Sequence, residues 1–184
     1  LAYVPADLHR VAANLDHALH AAVARRTGGL PPIALGQVWW DWATHLATSP
    51  GRQMELAVEA GMRAAAVVNA TLNHDEAPAD PRYRDPAWAA WPFNVLAATH
   101  KAQENWWALA TTGLPGMSAA HERVATFAAR QIMDMTAPSN SILTNPEVQR
   151  ETRATGGQNL MRGAQHMVED VILAATGQRP ADIE

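Results

Sequence analysis

Eight histidines and eighteen acidic side chains are the groups in this 184-residue chain that could hold a metal. Asp16, His17 and His20 share a helix face if their segment is helical. His121 adjoins Glu122, and His100 precedes Glu104 by about one turn. No His-Glu-x-x-His is present, and no third ligand follows at motif spacing. Single histidines on helices are usually surface residues or satisfied partners. We therefore expect neither a metal nor a cofactor. Ser139, Ser141 and Thr144 supply hydroxyls, but no Gly-x-Ser-x-Gly elbow surrounds them and no histidine is near in sequence. Turn and capping roles suit them better. The absence of cysteine excludes a thiolate nucleophile, a disulfide and cysteine-ligated zinc within this chain.

The seven tryptophans are the more unusual set. Trp39, Trp40 and Trp42 fall in one segment, Trp88 and Trp91 in another, Trp106 and Trp107 in a third. A buried indole offers a large apolar body and one N–H to satisfy. Neighbours on a helix project about 100° apart, so Trp39 with Trp40, or Trp106 with Trp107, rarely share one core. Two readings stay open: core alone, or core plus one interface, in which one member of each pair meets another domain, another protomer or an apolar polymer, since tryptophan is enriched at interfaces. All seven are candidate interface residues. Asn140, Asn145, Asn159 and Arg162 join them as candidates for orienting a following domain; local capping and a solvated charge are their plainer roles.

The elements that must position these residues read as helices. Hydrophobic residues make up 48% of the chain, alanine is abundant, and β-branched runs are scarce. The expected class is all-α: an irregular domain of about six to seven helices with a long extended strap. Leu8, Val11, Leu15 and Leu19 place a first helix over residues 6 to 25. Gly28-Gly29 and Pro31-Pro32 mark a linker. A second helix spans about Ala34 to Thr48. Ser49-Pro50 starts a third, whose stripe is Met54, Val58, Gly61, Ala65, Val68 and Leu72. Gly61 and Ala65 would let a neighbouring helix approach closely. Prolines 78, 81, 86 and 92 make residues 73 to 91 an irregular, largely extended segment. Within it, Tyr83 and Trp88 are expected anchors of a strap, with Asp80, Arg82, Arg84 and Asp85 as rim charges.

A fourth helix is expected from Phe93 to Thr111, ending at Gly113. Ser118 caps a fifth, with Val124, Phe127, Ala128, Ile132 and Met135 on one face. Pro138-Ser139-Asn140 signals a turn, and Asn145-Pro146-Glu147 a helix start with Asn145 as cap. Gly156-Gly157 interrupts the path before a last helix over Gln158 to Ala175. That helix presents Leu160, Ala164, Met167, Val168, Val171 and Ala175, and Gly177 ends it. The formal charge is −4 with scattered basic residues, so no nucleic-acid surface is expected. No apolar run is long enough to span a membrane, and no signal-peptide layout opens the chain. Leu1, rather than a methionine, is consistent with a piece of a longer protein.

Several segments together resemble the N-terminal region of the polyhydroxyalkanoate (poly-β-hydroxybutyrate) synthases. They are Trp39-Trp40-Asp41-Trp42 leading to Ser49-Pro50-Gly51-Arg52-Gln53; Asp80-Pro81-Arg82-Tyr83-Arg84-Asp85-Pro86-Ala87-Trp88 with Pro92-Phe93; and Pro138 to Glu147 followed by Gly156 to Gly163. They cover about residues 31 to 177 in the family's order. Ser141 and Tyr83 each stand where the family usually has phenylalanine. The resemblance implies a helical N-terminal-type domain over 30–184, with residues 1–29 as a peripheral N-terminal helix. An α/β-hydrolase catalytic domain carrying a cysteine, an aspartate and a histidine would follow. Such a synthase polymerises (R)-3-hydroxyacyl-CoA thioesters by covalent acyl transfer. This chain would then be non-catalytic. The implied partners are the downstream catalytic domain, a second copy, and polyester granules or granule proteins. The hydroxyacyl-CoA substrate would belong to the full enzyme only, and the implied location is cytoplasmic, at or near granules. The alternative expectation is a stand-alone helical module acting in trans on a hydrolase or an apolar surface.

Overall fold

The computed structural model describes residues 6–26, 32–72 and 79–176. Among the described residues there are seven α-helices and no strand. They are α1 (Ala6–Arg26), α2 (Pro32–Ala47), α3 (Pro50–Leu72), α4 (Phe93–Ala110), α5 (Ala119–Met135), α6 (Pro146–Ala154) and α7 (Gln158–Thr176). Proline opens α2, α3 and α6, where its missing N–H costs nothing and its fixed φ suits the first turn. Ser118 caps α5, its Oγ accepting the His121 N–H at 3.2 Å. Gly113, at φ 68°, follows the end of α4 in the left-handed region that glycine occupies without a Cβ clash. The expected linker at Gly28-Gly29-Pro31, residues 73–78 of the irregular segment and the stop at Gly177 lie outside the described residues.

The chain divides into two units. The first comprises Leu1–Arg63 and Gln103–Asp134. Its buried side chains are Val38, Leu56, Ala110, Thr111, Leu114, Ala125 and Ala129. The second comprises Ala64–Ala102 and Met135–Glu184. Its centre is Tyr83, Trp88 and Ala97, with Phe93 packed alongside. Trp88 is 0% exposed. Tyr83 and Phe93 meet its ring edge to face, with centroids 4.7 and 6.3 Å away.

One expectation about the elements needs correction. The described part of the proline-rich segment is not extended. It folds into two short 3₁₀ turns, Pro81–Tyr83 and Pro86–Ala89. Asp80 and Asp85 cap them, each side chain accepting a backbone N–H two residues on at 2.9 Å. The Asp-Pro pairs thus make Asx-type turns, with proline supplying the fixed φ. The apolar stripes place the helices as expected, and most of their residues are exposed. Val11, Leu15 and Leu19 on α1 are exposed, as are Met54, Val58, Val68 and Leu72 on α3. Phe127, Ile132 and Met135 on α5, and Leu160, Met167, Val168 and Val171 on α7, are exposed too. A Cβ at Gly61 would meet nothing within 4 Å, so no neighbour among the described residues uses the close approach it permits. Period establishes a helix; it does not supply the surface that covers its apolar face.

Candidate functional site

Unit one gathers four tryptophans. Trp39 and Trp42 on α2 meet Trp107 on α4 at centroid separations of 6.0 and 5.8 Å, and meet each other at 5.6 Å. Trp106 stands edge-on to Trp107 at 5.2 Å. The spacing of Trp39 and Trp42, three residues apart, puts both on one helix face. Two of the four N–H groups anchor the cluster to backbone. Trp42 Nε1 donates to the Ala110 carbonyl at 2.9 Å, and Trp106 Nε1 donates to the Leu56 carbonyl at 3.0 Å. Beside the cluster lies a cavity of about 350 Å³ lined by Trp39, Trp107, Ala129, Ile132 and Met133.

Polar contacts fix the same helices. Arg52 Nη2 donates to the Leu109 and Thr112 carbonyls at 2.6 and 2.9 Å. Those are carbonyls at the end of α4, where a cation also complements the helix dipole. Asp41 on α2 bridges two histidines. His121 Nδ1 donates to its Oδ2 at 2.6 Å, and His45 Nδ1 lies 3.0 Å from its Oδ1. The His121 contact ties α2 to α5. The His45 ring lies against Gly116, whose φ is 87°; a Cβ there would fall 2.5 Å from His45 Cδ2.

Unit two has a different construction. Asp80, expected at the rim, is buried. It survives there because Arg82 grips it with Nε at 3.0 Å and Nη2 at 2.8 Å, and Lys101 Nζ approaches to 3.0 Å. The Arg82 guanidinium holds the Asp80 carboxyl well below the usual range, against the opposing effect of burial. Asp85 takes a two-point contact from Arg150 on α6, at 3.0 and 2.7 Å. That contact, with the Ala87 N–H, lowers its pKa to about 2. Trp88 Nε1 donates to Glu147 Oε1 at 3.0 Å, so the turn segment grips the first turn of α6. Tyr83 Oη and His100 Nδ1 share a buried 2.8 Å hydrogen bond.

The eleven expected interface residues therefore do not form one patch. Trp39, Trp42, Trp106 and Trp107 cluster in unit one, all part-buried. Trp40 points away, 74% exposed, as helical geometry requires of one member of that pair. Trp106 and Trp107 do not divide in the same way, because both find aromatic or backbone partners. In unit two Trp88 is core and Trp91 is 75% exposed. Asn145 caps α6: its Oδ1 accepts the Glu147 and Val148 N–H groups, and its Nδ2 donates to the Ser139 carbonyl at 2.8 Å. Asn159 donates to Thr152 Oγ1 at 2.9 Å and accepts from Thr155 Oγ1 at 3.1 Å. Asn140 and Arg162 are exposed. Thr144 Oγ1 donates to the Pro138 carbonyl at 2.7 Å, and Ser141 Oγ accepts the Leu143 N–H at 3.3 Å. Among the described residues, no cluster of histidine and acidic groups could hold a metal. No described helix is long and apolar enough to cross a membrane. Sequence reasoning missed Arg52, Asp41 with His121, and Tyr83 with His100; no local signal announces them.

Comparison with known proteins gives a consistent result. A family model described as the poly-beta-hydroxybutyrate polymerase (PhaC) N-terminus matches residues 79–181. A second, described as the poly-beta-hydroxybutyrate polymerase N terminal, matches residues 10–52. A poly(3-hydroxyalkanoate) polymerase of Methylorubrum extorquens is 33% identical over 95 residues, covering 51% of this chain and 16% of the relative. The poly(3-hydroxyalkanoate) polymerase subunit PhaC of Rhizobium etli is 33% identical over 93 residues, covering 50% and 15%. Poly(3-hydroxyalkanoate) polymerase 2 of Ectopseudomonas oleovorans is 34% identical over 99 residues, covering 51% and 17%. The matched region is thus about one sixth of each relative's length. No solved structure gives a significant match.

Proposed function

We propose, from the premise that the chain belongs to the poly-beta-hydroxybutyrate polymerase (PhaC) N-terminal family, that it is the non-catalytic helical part of a polyester-forming acyltransferase. The observation carrying this reading is the family match over residues 79–181, more than half of the chain. The acyltransferase chemistry resides in an α/β-hydrolase partner domain, which joins hydroxyacyl groups from coenzyme A thioesters. The chain's own role is to dock on that domain, orient it, and promote pairing of two copies and contact with polyester granules in the cytoplasm. Residues 30–184 form the family domain in this reading, and residues 1–29 a peripheral helix. The uncovered apolar residues of α1, α3 and α7 and the exposed Trp40 support a docking role, since apolar faces of this kind mark interaction surfaces. The test is sedimentation of this chain with the α/β-hydrolase part of a family polymerase that lacks its own N-terminal region. A stable complex, weakened by Trp40→Ala without a lower thermal midpoint, is the expected result. Two species that sediment independently at micromolar concentration would count against it.

A further inference from the structure

Helix α7 carries a broad apolar face that this chain leaves open. Every position from Leu160 to Ile172 is exposed. At 100° per residue, Leu160, Met161, Ala164, Met167, Val168 and Val171 fill an unbroken apolar arc of about 120°. Helices in proteins owe most of their stability to packing such a face, so this one is built to be covered. The start of the helix, by contrast, is fixed. Asn159 Nδ2 donates to Thr152 Oγ1 at 2.9 Å, and its Oδ1 accepts from Thr155 Oγ1 at 3.1 Å, which ties α7 to the end of α6. The chain turns between the two helices at Gly156 and Gly157, with φ 58° and 88°. The helix is thus held at its root while its apolar face stands in solvent.

The charges around the arc narrow the choice of cover. Glu169 and Asp170 are the charged residues nearest its two borders, one on each side; Arg162 and His166 lie farther round. His166 Nδ1 is 3.3 Å from Glu169. Helices that lie on lipid carry an excess of Lys and Arg on the polar face, which α7 does not. A second α7 would set acid against acid along the seam, the reverse of the pairing that joins helices. An apolar groove bordered by Lys or Arg matches both the arc and its borders. The matched region is 15–17% of each relative's length, so most of each relative is left to supply such a surface. We propose that α7 docks in such a groove on the α/β-hydrolase part, its apolar arc inward and Glu169 and Asp170 at the basic rim. The identity of the partner rests on the reading given under Proposed function; the open arc and its acidic borders do not.

The test titrates the whole 184-residue chain against the α/β-hydrolase part of a family polymerase that lacks its own N-terminal region, followed by sedimentation velocity. Val168→Gln with Val171→Gln should weaken the complex at least tenfold at an unchanged thermal midpoint. Both side chains are exposed, and glutamine is a better helix former than valine, so the fold keeps its stability. Glu169→Lys with Asp170→Lys should weaken the complex at least threefold at low ionic strength. It should also remove most of the salt dependence that the unaltered complex shows. Equal binding by either variant would overturn the proposal. Self-association of the chain that the glutamine variant abolishes while the complex survives would overturn it in favour of a second copy. Binding to vesicles of phosphatidylglycerol and phosphatidylcholine, lost in that variant while the complex survives, would overturn it in favour of lipid. A complex that the α7 variants leave intact sinks the α7 assignment alone and leaves the supporting role standing. No complex with the unaltered chain removes both.

Discussion

Arg52 shows how much a single side chain contributes here without any local clue. Its partners, the Leu109 and Thr112 carbonyls, lie 57 and 60 residues along the chain. Arg52→Ala should cost about 2 kcal/mol, the scale of hydrogen bonds to charged groups, measured by urea unfolding. Arg52→Lys should recover only part, because an ammonium cannot reproduce the guanidinium fork. Asp41 with His121, 80 residues apart, was hidden from sequence reasoning for the same reason. Asn145 was legible because its partners, Glu147 and Val148, are two and three residues away. Asp80 and Asp85 make a pH prediction. Arg82 lowers the first, and Arg150 lowers the second to about 2. A carboxyl lowered by folding stabilises fully above its unfolded pKa, about 4, and loses that contribution as pH falls through the folded value. The thermal midpoint should therefore be insensitive to these two groups from pH 7 to about 5, then fall between about pH 4 and 2. Asp80→Asn should lower the midpoint at pH 7 and make the acid slope shallower. An acid slope unchanged in that variant would contradict the assignment.

At the scale of elements, start signals proved more readable than faces. Asn145-Pro146-Glu147 states a helix start in three residues, and α6 begins at Pro146. Asn145→Ala should cost about 1 kcal/mol through loss of the cap, and somewhat more because the Ser139 carbonyl also loses its donor. Asn145→Asp, which keeps the acceptor, should recover most of the capping part. Apolar periodicity likewise placed α1, α3, α5 and α7, yet their stripes are exposed, since a pattern within one helix carries no information about what packs on it. The buried residues of unit one include three alanines, Ala110, Ala125 and Ala129; Trp42 donates to the Ala110 carbonyl, and Ala129 lines the cavity with Trp39 and Trp107. Tryptophan truncations should divide accordingly. Trp88→Ala removes a fully buried indole and should cost about 3–5 kcal/mol, or prevent folding. Trp40→Ala should change stability by less than about 0.5 kcal/mol, because its ring is mostly in solvent. Thermal unfolding of the two variants compares them directly, and equal losses would mean that Trp40 is packed.

For the whole molecule, the all-helical class was legible from alanine content, helical spacing and scarce β-branched runs, whereas the pairing of turns with helices was not. The Trp88–Glu147 and Asp85–Arg150 contacts span 59 and 65 residues, and only a folded chain brings them together. Family membership rests on residues 79–181 and, for the first part of the chain, on 10–52. The central claim is that such a chain supports polyester synthesis without performing it. The most direct measurement is coenzyme A release from (R)-3-hydroxybutyryl-CoA. Four samples are compared: this chain alone, the α/β-hydrolase part of a family polymerase alone, a fusion of the two in family order, and the fusion carrying Trp88→Ala. The account predicts no release above buffer by the chain, weak release by the hydrolase part, at least tenfold more by the fusion, and loss of that gain in the variant. Release proportional to the added pure chain, or a correctly folded fusion no faster than the hydrolase part alone, would contradict it.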